Sequence, residues 1–375
     1  MKIAIMGFGT VGFGAYQVAK SIENIEVVRI FSRKLRKEYE PTLVKDGRLG
    51  IFTMNPEDIW NNAGIDLVIE SMGGIYPAKE YVLNCLYAGK HVVTPNKNLI
   101  SAFYNELHSV AEDKGVQLRY TSAVGGGIPW LNNLKRTTRC DSVEEVRGIV
   151  NGTCNYILDS MHENGEDYID VLKKAQELGY AESNPTADVD GFDTQRKAVI
   201  SANLAYNTII REEDVPCHGI SFIDKTDIDW FNKHGYKCKL IMCSKKLENS
   251  RLVAYVEPQL FPISSLEANV KSNNNMITLV GENIGTQSFY GQGAGMYPTG
   301  TSVMQDVIDV MEGIPSPSVR NCIRVVDNSS ELHRYYIRTG GKVGVTKPIS
   351  VEEMHKTADK CIAEGRSIFF AAFTD

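Results

Sequence analysis

The chain has 375 residues, 43% of them hydrophobic and 23% charged, with a net charge of -6. That length exceeds one average core and predicts two domains or a little more, while an acidic chain lacks the basic face that nucleic acid requires. No apolar run is long enough to span a bilayer, and the short apolar start meets glycines without a signal peptide's length, so a cytoplasmic protein with no membrane partner is expected.

Lys2–Met6 (KIAIM) reads as a buried strand. GFGTVG at Gly7–Gly12 follows, then a helical stretch through AYQVAKSI. A strand, G-x-G-x-x-G and a helix in that order form a dinucleotide fingerprint. Gly7 permits the tight turn, Gly9 lets the backbone approach a pyrophosphate, and Gly12 allows close helix packing. The helix N-terminus adds unpaired N–H groups and a positive dipole end. The next strand, Glu26–Lys34, ends in Ser32, Arg33 and Lys34 rather than in an acid. Arg33 suits a 2′-phosphate, which favours NADP with NAD as the alternative; its competing role is a solvated strand end. Further strands are expected at Ile65–Ser71, Lys90–Lys97 and Val116–Val124, with helices between them. Such alternation means a parallel sheet with ligand loops at the carboxyl ends of its strands. Lys97 falls at one of those ends and is a candidate functional cation.

From about Arg136 the pattern changes. VEEVRGIVNGTCNYIL joins a strand to a helix through Gly152 and Thr153, and an amphipathic helix from Asp167 stops at Gly179. Then comes YAESNPTADVDGFDTQRK, Tyr180–Lys197. Asn184-Pro185 and Asp190-Gly191 are turn signals, so Glu182, Asp188 and Asp190 are expected on a loop, with a helix starting near Asp193. Asp193 and Lys197 are four apart and share a helix face, although Asp193 is also suited to capping that helix. Lys197 stands where charge meets the apolar stretch AVISANLAY. A lysine there can act as general acid or base if its surroundings lower its pKa. The eight cysteines form no C-x-x-C and no zinc spacing, so reduced, mostly buried thiols are expected.

In order and spacing, GFGTVG, GKHVVTPNK, SAVGGGIP, NGTCNYIL, GYAESNPTADVDGFDTQRK and FYGQGAGMYPTGTSV resemble the homoserine dehydrogenase family, over Met1 to about Met311. The resemblance implies reversible, NAD(P)H-dependent reduction of L-aspartate 4-semialdehyde to L-homoserine, on the route to threonine, methionine and isoleucine. It implies an α/β fold with a Rossmann-type dinucleotide-binding domain at 1–135 and an α+β catalytic and dimerisation domain at 136–300. A helix at 301–325 would return to the nucleotide domain, and 326–375 would form a short C-terminal α/β extension. Carried over position by position, Lys197 matches the acid/base lysine and Lys97 a second active-site lysine. Glu182 and Asp193 match substrate-binding acids, with Asp188, Tyr180 and Thr153 as further substrate-binding candidates. Thr10, Val11, Arg33, Lys97 and Gly295 match cofactor contacts beside Gly7, Gly9 and Gly12, while Gly152 and Thr153 lie between cofactor and substrate. A homodimer or higher homo-oligomer is the family's expected assembly.

Three departures stand out. Many relatives bind a monovalent cation such as Na+ through a glutamate and backbone carbonyls. Val124, Gly126 and Ile128 keep the backbone positions, but Thr121 replaces the glutamate, so that site is expected to be weakened or altered. Asn184 replaces an aspartate. The tail from His333 opens like a regulatory module but is too short to complete one, so a partial module or a packed structural appendage is expected. Competing functions are a related amino-acid or oxo-acid dehydrogenase on the same scaffold, and a non-catalytic NADP(H) sensor.

Overall fold

A computed structural model of the chain describes residues 1–316 and 324–374; residues 317–323 of the expected returning segment, Cys322 among them, lie outside the described residues. The chain divides into two compact units, Met1–Lys135 with Gln292–Arg320, and Arg136–Gly291 with Asn321–Asp375.

The first unit runs β1 (Lys2–Met6), α1 (Thr10–Ala19), β2 (Glu26–Phe31), α2 (Glu40–Lys45), β3 (Phe52–Thr53), α3 (Glu57–Trp60), β4 (Leu67–Glu70), α4 (Ala78–Tyr87), β5 (His91–Val93), α5 (Lys97–Asp113), β6 (Leu118–Arg119) and α6 (Trp130–Thr137). Its strands form one sheet in the order β3-β2-β1-β4-β5-β6, and every pair in it is parallel. Helical crossovers cover both faces, which is why Ile3–Met6 of β1 and Leu67–Ile69 of β4 are apolar and buried. Strand order reverses between β1 and β4, and ligand crevices form at the carboxyl ends beside such a switch. Met6, the last residue of β1, lies opposite Phe31 on one side and Glu70 on the other.

All four strands expected after β1 are shorter than the sequence suggests: β4 keeps only Leu67–Glu70, and β6 only Leu118–Arg119, because Thr121–Ala123 turn helical. β2 stops at Phe31, leaving Ser32, Arg33 and Lys34 beyond it. β5 stops at Val93, because Asn96 starts a helix: its side chain accepts from the Leu99 N–H at 3.2 Å. Lys97 is therefore the first residue of α5 rather than the last of a strand.

The second unit holds β7 (Val143–Ile149), α7 (Gly152–Asn164), α8 (Tyr168–Glu177), α9 (Thr186–Val189), α10 (Phe192–Tyr206), α11 (Lys225–Lys233), β8 (Tyr236–Lys246), β9 (Arg251–Pro262), β10 (Asn274–Gly281) and β11 (Gly285–Gln292). From Gln292 the chain rejoins the first unit, earlier than the expected 301, and α12 (Met296–Met311) adds Val303, Met304, Val307 and Val310 to that unit's core. The tail contributes β12 (Val325–Val326), β13 (Leu332–His333), β14 (Tyr335–Thr339), β15 (Lys342–Val345), β16 (Ile349–Ser350), α13 (Val351–Ala363) and β17 (Ile368–Phe373).

The tail is no separate body. β12, β14, β15 and β17 extend the second unit's sheet, whose main order is β11-β10-β7-β8-β9-β17-β14-β15, while β13 and β16 pair in a small sheet of their own. β17 joins β9 in parallel, and β14 pairs antiparallel with β17. All six residues of β17 are buried, so its aromatic run IFFAAF is core, packed against Met354, Ala358 and Cys361 of α13.

Candidate active site

The cofactor side begins at the end of β1. Gly7 has φ of +97°, a conformation open to glycine, and it donates its N–H to the Phe31 carbonyl at 2.8 Å. A Cβ at Gly12 would overlap the Gly7 carbonyl oxygen and lie 2.7 Å from Ser71 Oγ, so helix α1 can sit this close to the turn only with glycine there. Ser71 locks the other edge of the turn by donating its hydroxyl to the Gly7 carbonyl at 2.7 Å. Gly9 occupies the N-cap of α1 with no side-chain cap, which leaves the first-turn N–H groups of Thr10 and Val11 facing outward for an anion. These features fit a dinucleotide pyrophosphate.

Two arginines follow β2 near that turn, one of them, Arg36, paired with Glu38 at 3.7 Å. Arg33 is exposed past the end of β2. Arg36, which the sequence did not single out, lies nearer: its Nη2 is 3.7 Å from the position of a Gly9 Cβ. Gly295, with φ of +137°, is the N-cap of α12. Beneath the loops after β4 and β5 lies Glu70, fully buried, accepting from the Met72 N–H at 2.7 Å and the Thr94 hydroxyl at 2.6 Å. Burial raises its pKa above the ordinary carboxylate value. Asn96 ties the same loops together by donating to the Gly74 carbonyl at 2.7 Å, and this holds the start of α5, hence half-buried Lys97.

The second unit brings together Asp188, Asp193 and Lys197. Lys197 is only 8% exposed; its amine donates to Asp193 Oδ2 at 2.7 Å and to the Val150 carbonyl at 2.6 Å. Asp193 is therefore not the helix cap that its position allowed. Gly191 takes the N-cap of α10, and the Asp193 carboxylate turns to Lys197 and Asn151 instead. Asn151 is the residue that sequence reading missed. Its Oδ1 caps α7 by accepting from the Cys154 N–H at 2.8 Å, while its Nδ2 donates to Asp188 Oδ1 at 2.7 Å and Asp193 Oδ2 at 2.8 Å. The Asn-Gly before a helical stretch is a cap signal that could have pointed to it.

Asp188 lies in α9, a four-residue helix rather than the expected loop. Asn184 opens it, its Oδ1 accepting from the Thr186 hydroxyl at 2.7 Å and the Thr186 N–H at 3.2 Å. The amide thus keeps an acceptor at the aspartate position without the charge. Thr153 donates its hydroxyl to the Tyr180 carbonyl at 2.5 Å, and the Tyr180 ring stands edge-on to Tyr156. Gly152 passes so close to the next loop that a Cβ would lie 2.6 Å from the Asn273 carbonyl oxygen. Glu182 stands apart from the cluster. It is exposed, and its carboxylate makes no hydrogen bond or ion pair among the described residues.

At the expected cation position, Thr121 donates its hydroxyl to Asp306 Oδ1 at 2.6 Å and its N–H to Oδ2 at 2.8 Å. The Ile128 carbonyl accepts from the Trp130 N–H at 2.7 Å. A hydroxyl bound to a neighbouring carboxylate stands where a free carboxylate ligand would be needed, so these residues do not fit a site of that kind. Among the described residues no group of three or more His, Cys, Asp or Glu side chains could hold a metal ion, and no helix is long and apolar enough to cross a membrane.

A glycine turn shaped for a dinucleotide, on a parallel sheet, together with a buried lysine among carboxylates, defines an NAD(P)-dependent oxidoreductase acting on a CH–OH group. The family model for the homoserine dehydrogenase NAD-binding domain matches residues 7–121, and that for homoserine dehydrogenase matches 129–308. Homoserine dehydrogenase of Bacillus subtilis is 34% identical over 323 residues, covering 84% of this chain and 73% of its own length; that of Corynebacterium glutamicum is 36% identical over 357 residues, covering 89% and 78%. Among solved structures, a homoserine dehydrogenase from Thiobacillus denitrificans superposes with a TM-score of 0.88 at 28% identity, over 100% of this chain and 98% of that one. A hyperthermophilic archaeal homoserine dehydrogenase mutant in complex with NADPH shares the fold at 22% identity and a TM-score of 0.69, over 85% of this chain and 99% of that one. The chain belongs to the homoserine dehydrogenase family, whose enzymes interconvert L-aspartate 4-semialdehyde and L-homoserine in amino-acid biosynthesis.

Proposed function

We propose that Lys197 exchanges the proton with the substrate oxygen, and that Glu182 receives the substrate's ammonium group. The observation that carries this reading is the buried Lys197 amine, fixed on Asp193 and the Val150 carbonyl. As the aldehyde is reduced, negative charge grows on its oxygen, and an ammonium placed there gives up its proton to form the alcohol. In the oxidising direction the neutral amine takes the hydroxyl proton. When bound, the nicotinamide supplies or accepts the hydride; the chain contributes binding, orientation and the proton.

Asp188 and Asp193 act by holding Asn151 and Lys197, whereas the unpartnered Glu182 carboxylate is the one available to an ammonium. Lys97, at the first position of a capped helix, is assigned as a second active-site cation in the nucleotide-binding unit. For the cofactor we favour NADP. Gly7, Gly9, Gly12, Thr10, Val11 and Gly295 would hold the dinucleotide, and Arg33 with Arg36 would take the 2′-phosphate. The NADPH complex of the archaeal relative supports this choice. A homodimer through the second unit belongs to the same reading. It is supported by the family resemblance and by β11, an edge strand whose residues alternate between exposed and half-buried; light scattering at the mass of one chain would refute it.

The proton assignment is tested with Lys197→Arg, which keeps a cation of similar reach but holds its proton at every working pH. Turnover in both directions is expected to fall by at least about a hundredfold with the fold intact. An arginine variant within tenfold of wild type would mean that charge alone suffices.

A further inference from the structure

The segment 216–223 plays no part in the chemistry above, yet it grips the chain that carries the site's acids. Its Ile220 N–H donates to the Val189 carbonyl at 2.6 Å, and the Ser221 hydroxyl to Asp190 Oδ1 at 2.6 Å. The Cys217 thiol reaches the Asp190 carbonyl at 3.3 Å. Backbone lies directly on backbone here, since a Cβ on Gly219 would come within 2.4 Å of Asp190 Cα. On its other side the segment is stitched to β9: His218 N–H donates to the Val256 carbonyl at 2.8 Å, and Val256 N–H to the Pro216 carbonyl at 2.9 Å.

The C-terminal tail holds the same segment. The His218 ring stacks on Phe370 of β17 with centres 4.2 Å apart. Arg338 of β14 donates to the Phe222 carbonyl at 2.6 Å while its guanidinium binds Asp227 of α11 at 2.7 and 2.9 Å. His355 of α13 stands edge-on to Phe370 and meets the buried Glu257 carboxylate of β9 at 3.1 Å. Burial, with His355 nearby, pulls the His218 pKa down to about 3, so its ring stays neutral in ordinary buffers and the stack does not depend on pH.

We propose that residues 216–223 form a strap that positions the substrate loop, that the C-terminal tail is the anchor of that strap, and that Ser221 and Asp190 are the positioning residues joining the two. The inference rests on the reading that Glu182 and Lys197 serve the substrate while Asp188 and Asp193 hold Asn151 and Lys197. α9 has four residues, too few for a helix to hold itself in place, so its placement comes from its neighbours. Asp190 stands two residues after Asp188 and three before Asp193, so a displacement of Asp190 moves both carboxylates that hold Asn151 and Lys197. Asp190 thereby gains a role that its turn position in the sequence did not suggest, and the tail becomes part of what shapes the site.

Steady-state kinetics with aspartate semialdehyde and NADPH test the strap on Ser221→Ala, Asp190→Ala, the double variant, Ser221→Thr and Asp190→Asn, with thermal unfolding of each. Losing a hydrogen bond to a charged group is expected to raise KM for the aldehyde about tenfold in either alanine variant, with KM for NADPH within about twofold of wild type. The double variant should be no worse than the poorer single one, because both remove the same bond. Ser221→Thr and Asp190→Asn, which keep a hydroxyl donor and an Oδ1 acceptor, should stay near wild type; they also serve as the folded comparison if an alanine variant fails to fold. Phe370→Leu should raise the same KM by a smaller factor. An unchanged aldehyde KM in folded alanine variants overturns the strap, as does an equal rise in both KM values or an additive double variant. A wild type that does not turn over aspartate semialdehyde would instead overturn the substrate-site reading itself.

Discussion

Asn151 serves two structures at once, and its replacement should separate them. In Asn151→Ala, α7 loses its side-chain cap, worth about 1 kcal/mol. Half-buried Asp188 and buried Asp193 each lose a donor at 2.7–2.8 Å, and hydrogen bonds to charged groups contribute about 1.5 kcal/mol each at the low end. Together these predict a loss of about 4 kcal/mol in unfolding free energy, measured by urea denaturation. Asn151→Ser keeps a cap acceptor but supplies no amide donor, so it should recover about 1 kcal/mol of that stability and none of the activity. In both variants kcat/KM for aspartate semialdehyde should fall, since Asp193 would no longer be fixed from two sides where it holds Lys197. An alanine variant within about 1 kcal/mol of wild type, or a serine variant with full activity, would refute the reasoning.

Gly12→Ala places a methyl on the Gly7 carbonyl and forces α1 away from the turn, so NADPH binding should weaken at least about tenfold by fluorescence titration, with no comparable change in KM for homoserine. Arg33→Asp should shift the ratio of kcat/KM for NADPH over NADH toward NADH, and Arg36→Ala should do so to a lesser degree; unchanged ratios in both would remove the 2′-phosphate assignment. Burial lifts the Asp306 carboxyl from 3.8 to about 6, which makes the folded state the better proton binder between those values. Its contribution to stability is therefore fully present below pH 3.8 and is lost as pH rises through about 6. At ~1.4 kcal/mol per pH unit, the stability of wild type relative to Asp306→Asn should fall by about 2 kcal/mol between pH 4 and 7, followed by urea denaturation; a difference that is flat or rises with pH would contradict it.

Much of this architecture could be read locally. The glycine turn, the parallel alternation after it and the strand-to-helix junction at Gly152 are written in short stretches, because backbone conformation and apolar period are local properties. The spacing of Asp193 and Lys197 also placed them on one helix face. What escaped was non-local or conditional. Asn151 meets Asp188 and Asp193 across 37 and 42 residues, and nothing near position 151 announces its partners. Thr121 meets Asp306 across 185 residues, and nothing near position 121 announces that contact. α9 read as a loop because Asn184-Pro185 and Asp190-Gly191 bracket only four residues, too short for a periodic signal. The tail read as a short α/β extension, but only the fold shows that β17 sits between β9 and β14.

The central claim is that Lys197 carries the proton. Its most direct test is kcat for aldehyde reduction by Lys197→Met at saturating NADPH, with the NADPH Kd measured on the same preparation. Removal of a general acid predicts a fall of about 10²–10⁴-fold in kcat with the Kd for NADPH within about twofold. A folded methionine variant that keeps kcat within tenfold of wild type would contradict the account.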